Sequence, residues 1–239
     1  MSLIKEELQT SKKNLTQRRI VTNDINLDDL KNGEIIVQIE NFAFTSNNVT
    51  YGVAGEMMGY WQFFPTMNDP ENIWGCIPMW GFAEIKYSNN KELEVGERLF
   101  GYFPASNILT LKPIKISQKT FIDGEEHRKE LPPVYNNYIR LNNEDNYNKD
   151  NDNIRALLFP LHVTSFCLCD YLQNENYLGA EQVIIVSASS KTAIGLAQGL
   201  QSEEKKPEII GLTSKRNSEF VESLNSYDQI YSYDDLGDI

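Results

Sequence analysis

The 239-residue chain is poor in the residues that build metal centres and covalent frameworks. It has three cysteines, Cys76, Cys167 and Cys169, and two histidines, His127 and His162. An odd, widely spaced cysteine set gives neither a disulfide framework nor paired zinc knuckles, and no metal site is expected. Cys167 and Cys169 stand in an apolar run and read as small core residues. Positive charge is short as well. Twenty-two Lys and Arg face 34 Asp and Glu, a net charge of −12. That balance argues against nucleic acid or an anionic membrane as the main partner, because both need a basic surface. The opening "MSLIKEELQTSKKN" has no apolar core of signal-peptide length. No run approaches the roughly 20 apolar residues of a membrane span. A cytoplasmic protein is the default expectation.

Apolar residues still make up 41% of the chain, enough for a sizeable core. Residues 33–44, "GEIIVQIENFAF", alternate apolar and polar after a Lys-Asn-Gly turn and predict a half-buried strand. "GFAEIKYS" (81–88) and "GERLFGYFPA" (96–105) have the same character. Short strands with Gly, Pro and Asn turns over residues 20–140 predict a β-rich, barrel-like domain. "NNEDNYNKDNDN" (142–153) reads as a solvated loop that does not pack. The pattern then changes. Residues 154–173 predict helix on either side of Pro160. Strand 183–187, helix 192–201, strand 208–212, helix 217–225 and a short strand near 229–231 follow. Strands alternating with helices predict a parallel sheet of βαβ units. The expected division is 1–153 and 154–239. His127 and Arg128, in "DGEEHRKELP", read as surface residues.

The turn in "VIIVSASSKTAIGLAQGL" (183–200) holds Ser, Lys and Thr where a nucleotide-binding loop usually holds glycine. A P-loop is excluded in practice. Lys191 and Thr192 match its end, but Ile185 and Ser190 occupy both glycine positions, where backbone amides must wrap a phosphate. A Rossmann turn fits better, with an anion at the helix N-terminus. Gly195 alone remains of its glycines, and Ala193 is a small substitute. The hydroxyls of Ser189, Ser190 and Thr192 and the charge of Lys191 are candidate cofactor ligands. A plain helix cap by Ser190 is the alternative. The next strand, in "EIIGLTSKRN" (208–217), lacks the carboxylate that would bind a ribose 2′-hydroxyl and select NAD. Thr213, Ser214, Lys215 and Arg216 stand there instead and suit the 2′-phosphate of NADP. An ordinary solvated turn is the alternative for that cationic pair.

A β-rich N-terminal half joined to a Rossmann half resembles the medium-chain dehydrogenase/reductase superfamily. "LKNGEIIVQIENFAFTSNN" and "IPMWGFAEIKYSNNKELEVGERLFGYFP" resemble its opening strand and its glycine-strand-"vGdrV.G" segment. "NNVTYGVAGEMMGYWQFFP", "LPPVYNNY" and "IIGLTSKRNSEFVESLNSYDQIYSYDD" resemble more closely a bacterial branch of unknown function. The resemblance implies a GroES-like β-barrel domain followed by a Rossmann-type parallel sheet. The Gly-His-Glu pattern, catalytic Cys and four-cysteine lobe of the zinc members are absent, so it implies a zinc-independent enzyme. The turn "SASSKTAIG" departs from the quinone-reductase-like Gly-Ala-x-Gly-Gly-Val-Gly: it is about two residues longer and has lost glycines.

The resemblance also places "SNNVTY" (46–51) at the barrel's active-site turn. Asn47 and Asn48 could then hydrogen-bond a carbonyl or the nicotinamide amide, and Tyr51 could donate a proton. Turn-forming asparagines and a half-buried tyrosine are the alternative. Thr164 falls where members often carry a threonine near the nicotinamide. "YWQFFP" (60–65), Trp74, Trp80 and Phe82 line an apolar pocket or pack the core. The implied function is NADP-dependent hydride transfer to a small carbonyl or activated alkene. The rival is a dinucleotide-binding or interaction module without turnover. A Rossmann sheet has strand order 3-2-1-4-5-6, and only three such strands are legible. The chain therefore reads as part of a longer enzyme, with "QVIIVSA" as an open edge inviting self-association or a complementing polypeptide.

Overall fold

The computed structural model describes residues 1–203 and 205–236. They form two compact units, the first Met1–Leu157 and the second from Leu158 onward. The first contains β1 (Ser2–Ser11), β2 (Arg18–Asn26), β3 (Ile35–Phe42), α1 (Ser46–Val53), β4 (Trp74–Gly75) and β5 (Met79–Ser88). It continues with β6 (Arg98–Phe103), β7 (Ile108–Leu111), β8 (Pro113–Ile114), β9 (Thr120–Asp123) and β10 (Asn137–Arg140).

Seven of these strands make one antiparallel sheet in the order β7-β3-β5-β6-β10-β9-β8. Its two outer strands are separated in sequence by Lys112 alone, so the sheet curls into a nearly closed barrel. Residues that alternate inward on β3, β5 and β6 meet in one core: Ile35, Val37, Ala83, Ile85, Leu99 and Phe103, with Phe121 and Tyr138 from β9 and β10. The β1–β2 hairpin, paired from Ser2↔Asn26 to Thr10↔Arg18, was not legible before residue 20. Its exposed positions carry charged and polar side chains as well as Ile4 and Ile20, which blurs the alternation.

Two expectations fail in this unit. Arg128 is not on the surface; it is 1% exposed. Its neighbours explain the burial. Nε donates to Asn136 Oδ1 (2.9 Å), Nη1 to Asp123 Oδ2 (2.7 Å) and Tyr138 Oη (3.1 Å), and Nη2 to the Tyr135 carbonyl (2.6 Å). The guanidinium also lies 4.9 Å from the Phe64 ring centroid. A buried charge is tolerated when paired and hydrogen-bonded in this way. Nor is the 142–153 segment an unpacked loop. Asn142 Oδ1 accepts from the Arg98 amide (3.1 Å), Asn143 Nδ2 donates to the Gln118 carbonyl (3.0 Å), and Tyr147 donates to Asp152 (2.8 Å). Asp152, 5% exposed, pairs with Arg98 at 3.0 Å. The Asn and Asp content that suggests disorder here makes turns and ion pairs.

Helix α2 (Asp152–Asn174) runs uninterrupted through Pro160. In the second unit, β11 (Gln182–Val186), α3 (Lys191–Gln201), β12 (Glu208–Thr213), α4 (Ser218–Ser223) and β13 (Gln229–Ser232) follow. All three strands are parallel, in the order β11-β12-β13, with Val183↔Ile209 and Leu212↔Tyr231 in register. This is one half of a doubly wound sheet, as the strand–helix alternation predicts. Ile185, Ala193, Ala197, Leu200, Ile209, Val221 and Tyr227 form its core, joined by Cys169 of α2. Cys167 is exposed, against expectation. Among the described residues no strand pairs with the outer side of β11, and Ile184 and Val186 on it are 60% and 62% exposed. No described helix is long and apolar enough to cross a membrane.

Candidate functional site

In the second unit β11 ends at Val186 and α3 begins at Lys191, so the candidate anion turn is Ser187–Ser190. Ser187 has φ 54°, the left-handed region that favours glycine. Two tyrosines hold this strained turn. The Ser187 amide donates to Tyr233 Oη (2.7 Å), and Tyr227 Oη donates to the Ala188 carbonyl (2.9 Å). Burial pushes the Tyr227 phenol up to about 12, so it remains a donor. Tyr227 reaches Ala188 by lying across Gly211, where a Cβ would come within 2.8 Å of its ring. Neither tyrosine was expected; both lie far along the chain, where spacing carries no signal.

Ser190 caps α3. Its Oγ accepts from the Ala193 amide (3.3 Å) and its carbonyl from the Ile194 amide (2.9 Å). The amides of Lys191 and Thr192 lie in the first turn, where no intrahelical carbonyl is available. Beyond β12, Lys215, Arg216 and Asn217 form a short 3-10 turn. Asn217 Nδ2 donates to Ser189 Oγ (3.0 Å). That bond joins the turn after β11 to the turn after β12, so Ser189 and the cationic pair belong to one constellation. Lys215 and Arg216 are exposed, and neither is in an ion pair among the described residues. Thr213, at the end of β12, is 1% exposed, and its Oγ1 has no hydrogen-bond partner. Ser214 is half-buried.

Gly195 has a packing role. A Cβ there would come within 2.8 Å of Ser165 Oγ on α2, and that hydroxyl donates to the Thr192 carbonyl (2.8 Å). Thr164, one residue earlier, is exposed and donates to the Pro160 carbonyl (3.3 Å).

In the first unit Asn47, Asn48 and Tyr51 all fall on α1. Asn48 is 3% exposed, and both ends of its amide are engaged. Oδ1 accepts from the Thr45 amide (2.7 Å), completing a capping box, and Nδ2 donates to the Pro78 carbonyl (3.0 Å). Asn47 Nδ2 donates to Tyr51 Oη (3.3 Å). Burial raises the Tyr51 pKa above the ordinary tyrosine value, and hydrogen bonds from Trp80 and Asn47 offset part of that rise. With donors already on its oxygen, Tyr51 has its own proton to offer.

The aromatic group forms a packed cluster. Tyr51 lies 4.6 Å from Tyr60 and 5.8 Å edge-on to Tyr102, and Tyr102 lies 4.7 Å from Tyr135, centroid to centroid. Trp80, Phe63, Phe64 and Phe82 are buried around or beneath it. The described residues hold no group of three or more Cys, His, Asp or Glu arranged to bind a metal.

A family model described as a protein of unknown function, DUF2855, matches residues 42–239. The chain belongs to the DUF2855 family. No curated protein sequence matches it. Among solved structures, this DUF2855 member is similar to CurA from Vibrio vulnificus (TM-score 0.57, 13% identity, 96% of this chain and 58% of that one). It is also similar to a protein described as an NADPH:quinone reductase from Bacillus thuringiensis (0.54, 12%, 98% and 59%). A third is Candida tropicalis Etr1p, solved with NADP and crotonyl-CoA (0.54, 13%, 97% and 61%). These likenesses show the fold alone: a GroES-like barrel unit and a Rossmann-type parallel sheet. The chain spans about three fifths of the length of the solved structures it matches.

Proposed function

We propose that this DUF2855 member binds NADP(H) on its parallel sheet and belongs to a zinc-independent oxidoreductase acting on a small carbonyl or activated alkene. The observation that carries the reading is the Asn217–Ser189 hydrogen bond. It draws Lys215 and Arg216 beside the anion turn of α3, with no carboxylate between Ile209 and Ser218. The residues present fit the cofactor in two respects. The orphaned Thr213 Oγ1 lies at the strand end where a ribose would be recognised. The Lys191 and Thr192 amides and the Ser189 and Ser190 hydroxyls lie where a pyrophosphate would sit.

The bound cofactor would supply hydride. The chain's own residues would bind and orient. Lys215, Arg216 and Ser214 would hold the 2′-phosphate, Tyr227 and Tyr233 would keep the turn in its strained shape, and Thr164 would approach the nicotinamide. In the first unit Tyr51 would give a proton to the substrate oxygen or carbon, oriented by Asn47. Asn48 would contribute through the cap that fixes α1. That Etr1p was solved with NADP and crotonyl-CoA supports the cofactor assignment by likeness of fold. The cytoplasm suits a pyridine-nucleotide enzyme.

Titration of NADPH and NADH, followed by cofactor fluorescence, tests this reading. Charge-assisted bonds from exposed Lys215 and Arg216 are worth about 1.5–3 kcal/mol together. NADPH is expected to bind roughly tenfold or more tightly than NADH. The Lys215→Ala/Arg216→Ala double variant is expected to lose that preference. Equal affinities in the parent chain would sink the assignment. A binding module without turnover is the second reading, favoured by a turn that keeps only Gly195 and uses it for helix packing. It predicts cofactor binding with no oxidation of NADPH across a carbonyl and enone panel.

A further inference from the structure

The first unit holds an open pocket of about 490 Å³ that the oxidoreductase reading does not use. Its volume falls within the roughly 300–1,000 Å³ typical of small-molecule sites. Two tryptophans line it, Trp61 and Trp74, and both are fixed in place. Trp61 is 6% exposed, and its indole lies against the backbone at two glycines. A Cβ on Gly55 would come within 2.1 Å of the pyrrole end, and one on Gly75 within 2.2 Å of the six-membered ring. Trp74 is held by Arg19, whose guanidinium carbon lies 4.5 Å from the ring centroid. Arg19 is itself anchored, donating to Gln9 Oε1 (2.9 Å) and the Asn68 carbonyl (3.0 Å). It covers one face of Trp74, so a ligand meets the other face or the edge.

The polar groups of the pocket exclude two ligand classes. Glu56 and Asp69 line it against one ammonium, Lys12. Lys12 Nζ donates to Asn72 Oδ1 (2.6 Å) and lies 3.5 Å from Glu56 Oε1. No cationic surplus is left to hold a phosphate or a carboxylate. An apolar ligand would strand the same polar groups without partners. What the pocket offers is donors and acceptors side by side. His127 Nε2 lies 3.2 Å from the Phe63 carbonyl. A carbonyl only accepts, so Nε2 carries the proton and Nδ1 of the neutral ring is an acceptor. Gln62 and Asn72 are exposed, and each amide combines an acceptor oxygen with a donor nitrogen. Asp69 sets the loop that carries Asn72, accepting from the Ile73 amide (3.2 Å) and the Trp74 amide (2.9 Å).

We propose that this pocket binds the pyranose ring of a neutral sugar. Each sugar hydroxyl both donates and accepts, which matches the Gln62 and Asn72 amides, the Glu56 carboxylate and His127 Nδ1. The C–H face of the ring matches the aromatic surface of the two tryptophans. The proposal is independent of the oxidoreductase reading, because none of the residues assigned to hydride or proton transfer lines the pocket.

The probes are the methyl pyranosides of glucose, galactose and mannose, titrated into the full chain without cofactor and followed by tryptophan fluorescence. At least one is expected to give a saturable change with a dissociation constant of about 1 mM or tighter. Saturation-transfer NMR should then show the ring C–H protons of that sugar receiving magnetisation from the protein. Cellobiose and lactose form a second arm: tighter binding of a disaccharide assigns the site to a glycan, and equal binding assigns it to a free sugar. Trp74→Ala is expected to weaken binding at least tenfold. Gln62→Ala, an exposed change that should leave the thermal midpoint where it is, is expected to weaken it about threefold. No saturable response to any of the sugars, the same response to glycerol, or parent-like binding by Gln62→Ala would each overturn the proposal.

Discussion

Replacing Arg128 with methionine probes the first unit most directly. Methionine keeps much of the volume and removes the charge. Four side-chain hydrogen bonds disappear, and Asp123, 3% exposed, stays buried facing an apolar group. Breaking one half of a buried pair costs about 3–5 kcal/mol. The Asn136 and Tyr138 side chains and the Tyr135 carbonyl lose a partner as well, so the upper half of that range is expected. For a domain of this size the midpoint should fall by roughly 10 °C. Tryptophan fluorescence is the appropriate assay, because Trp61, Trp74 and Trp80 are the only tryptophans and all lie in the first unit. Adding Asp123→Leu to Arg128→Met should recover part of the loss, since the stranded carboxylate is then gone and only its bond from the Lys112 amide (2.9 Å) is newly forfeited. A loss below about 1 kcal/mol for Arg128→Met would refute the reasoning, because it would mean that water reaches Asp123 readily.

In the second unit, burial would raise the Asp228 pKa, but Lys206, the Ile209 amide and Gln201 outweigh it and hold it near 2. The folded value is below the unfolded one, so its stabilisation is complete above about pH 4 and is lost as pH falls towards 2; Asp228→Asn should cost about 1 kcal/mol at pH 7, after discounting for exposure, and flatten that part of the acid-unfolding curve. Gly211→Ala should destabilise the second unit by about 1–3 kcal/mol, read by calorimetry, because the Tyr227 ring must move away from the new Cβ; a neutral result would mean that Tyr227 is free to shift. The buried phenols of Tyr51, Tyr102 and Tyr138 and the half-buried phenol of Tyr135 all have raised pKa values. Their stabilisation is present below about pH 10 and drains away as pH rises past it, so alkaline unfolding should begin there, and Tyr138→Phe should reduce its steepness.

Local pattern was enough to read the barrel strands 33–44, 81–88 and 96–105, the βαβ alternation after residue 180, and a turn between the strand at 183–187 and the helix from about 192. Each is encoded by periodicity, by a Ser cap or by a run of small and β-branched residues within a few positions. The tertiary structure alone decided the rest. Burial of Arg128 depends on Asp123, Asn136 and Tyr138, which reach it only after β9 and β10 pair. The 142–153 segment becomes ordered because Arg98 and Gln118 lie beside it in the fold. The constellation around Ser189 depends on Asn217, Tyr227 and Tyr233, 28 to 46 residues away along the chain. A charge or a hydroxyl in a sequence shows what it can bond; which partner comes within 3 Å is set by strand register and crossover, and no local pattern contains that distance.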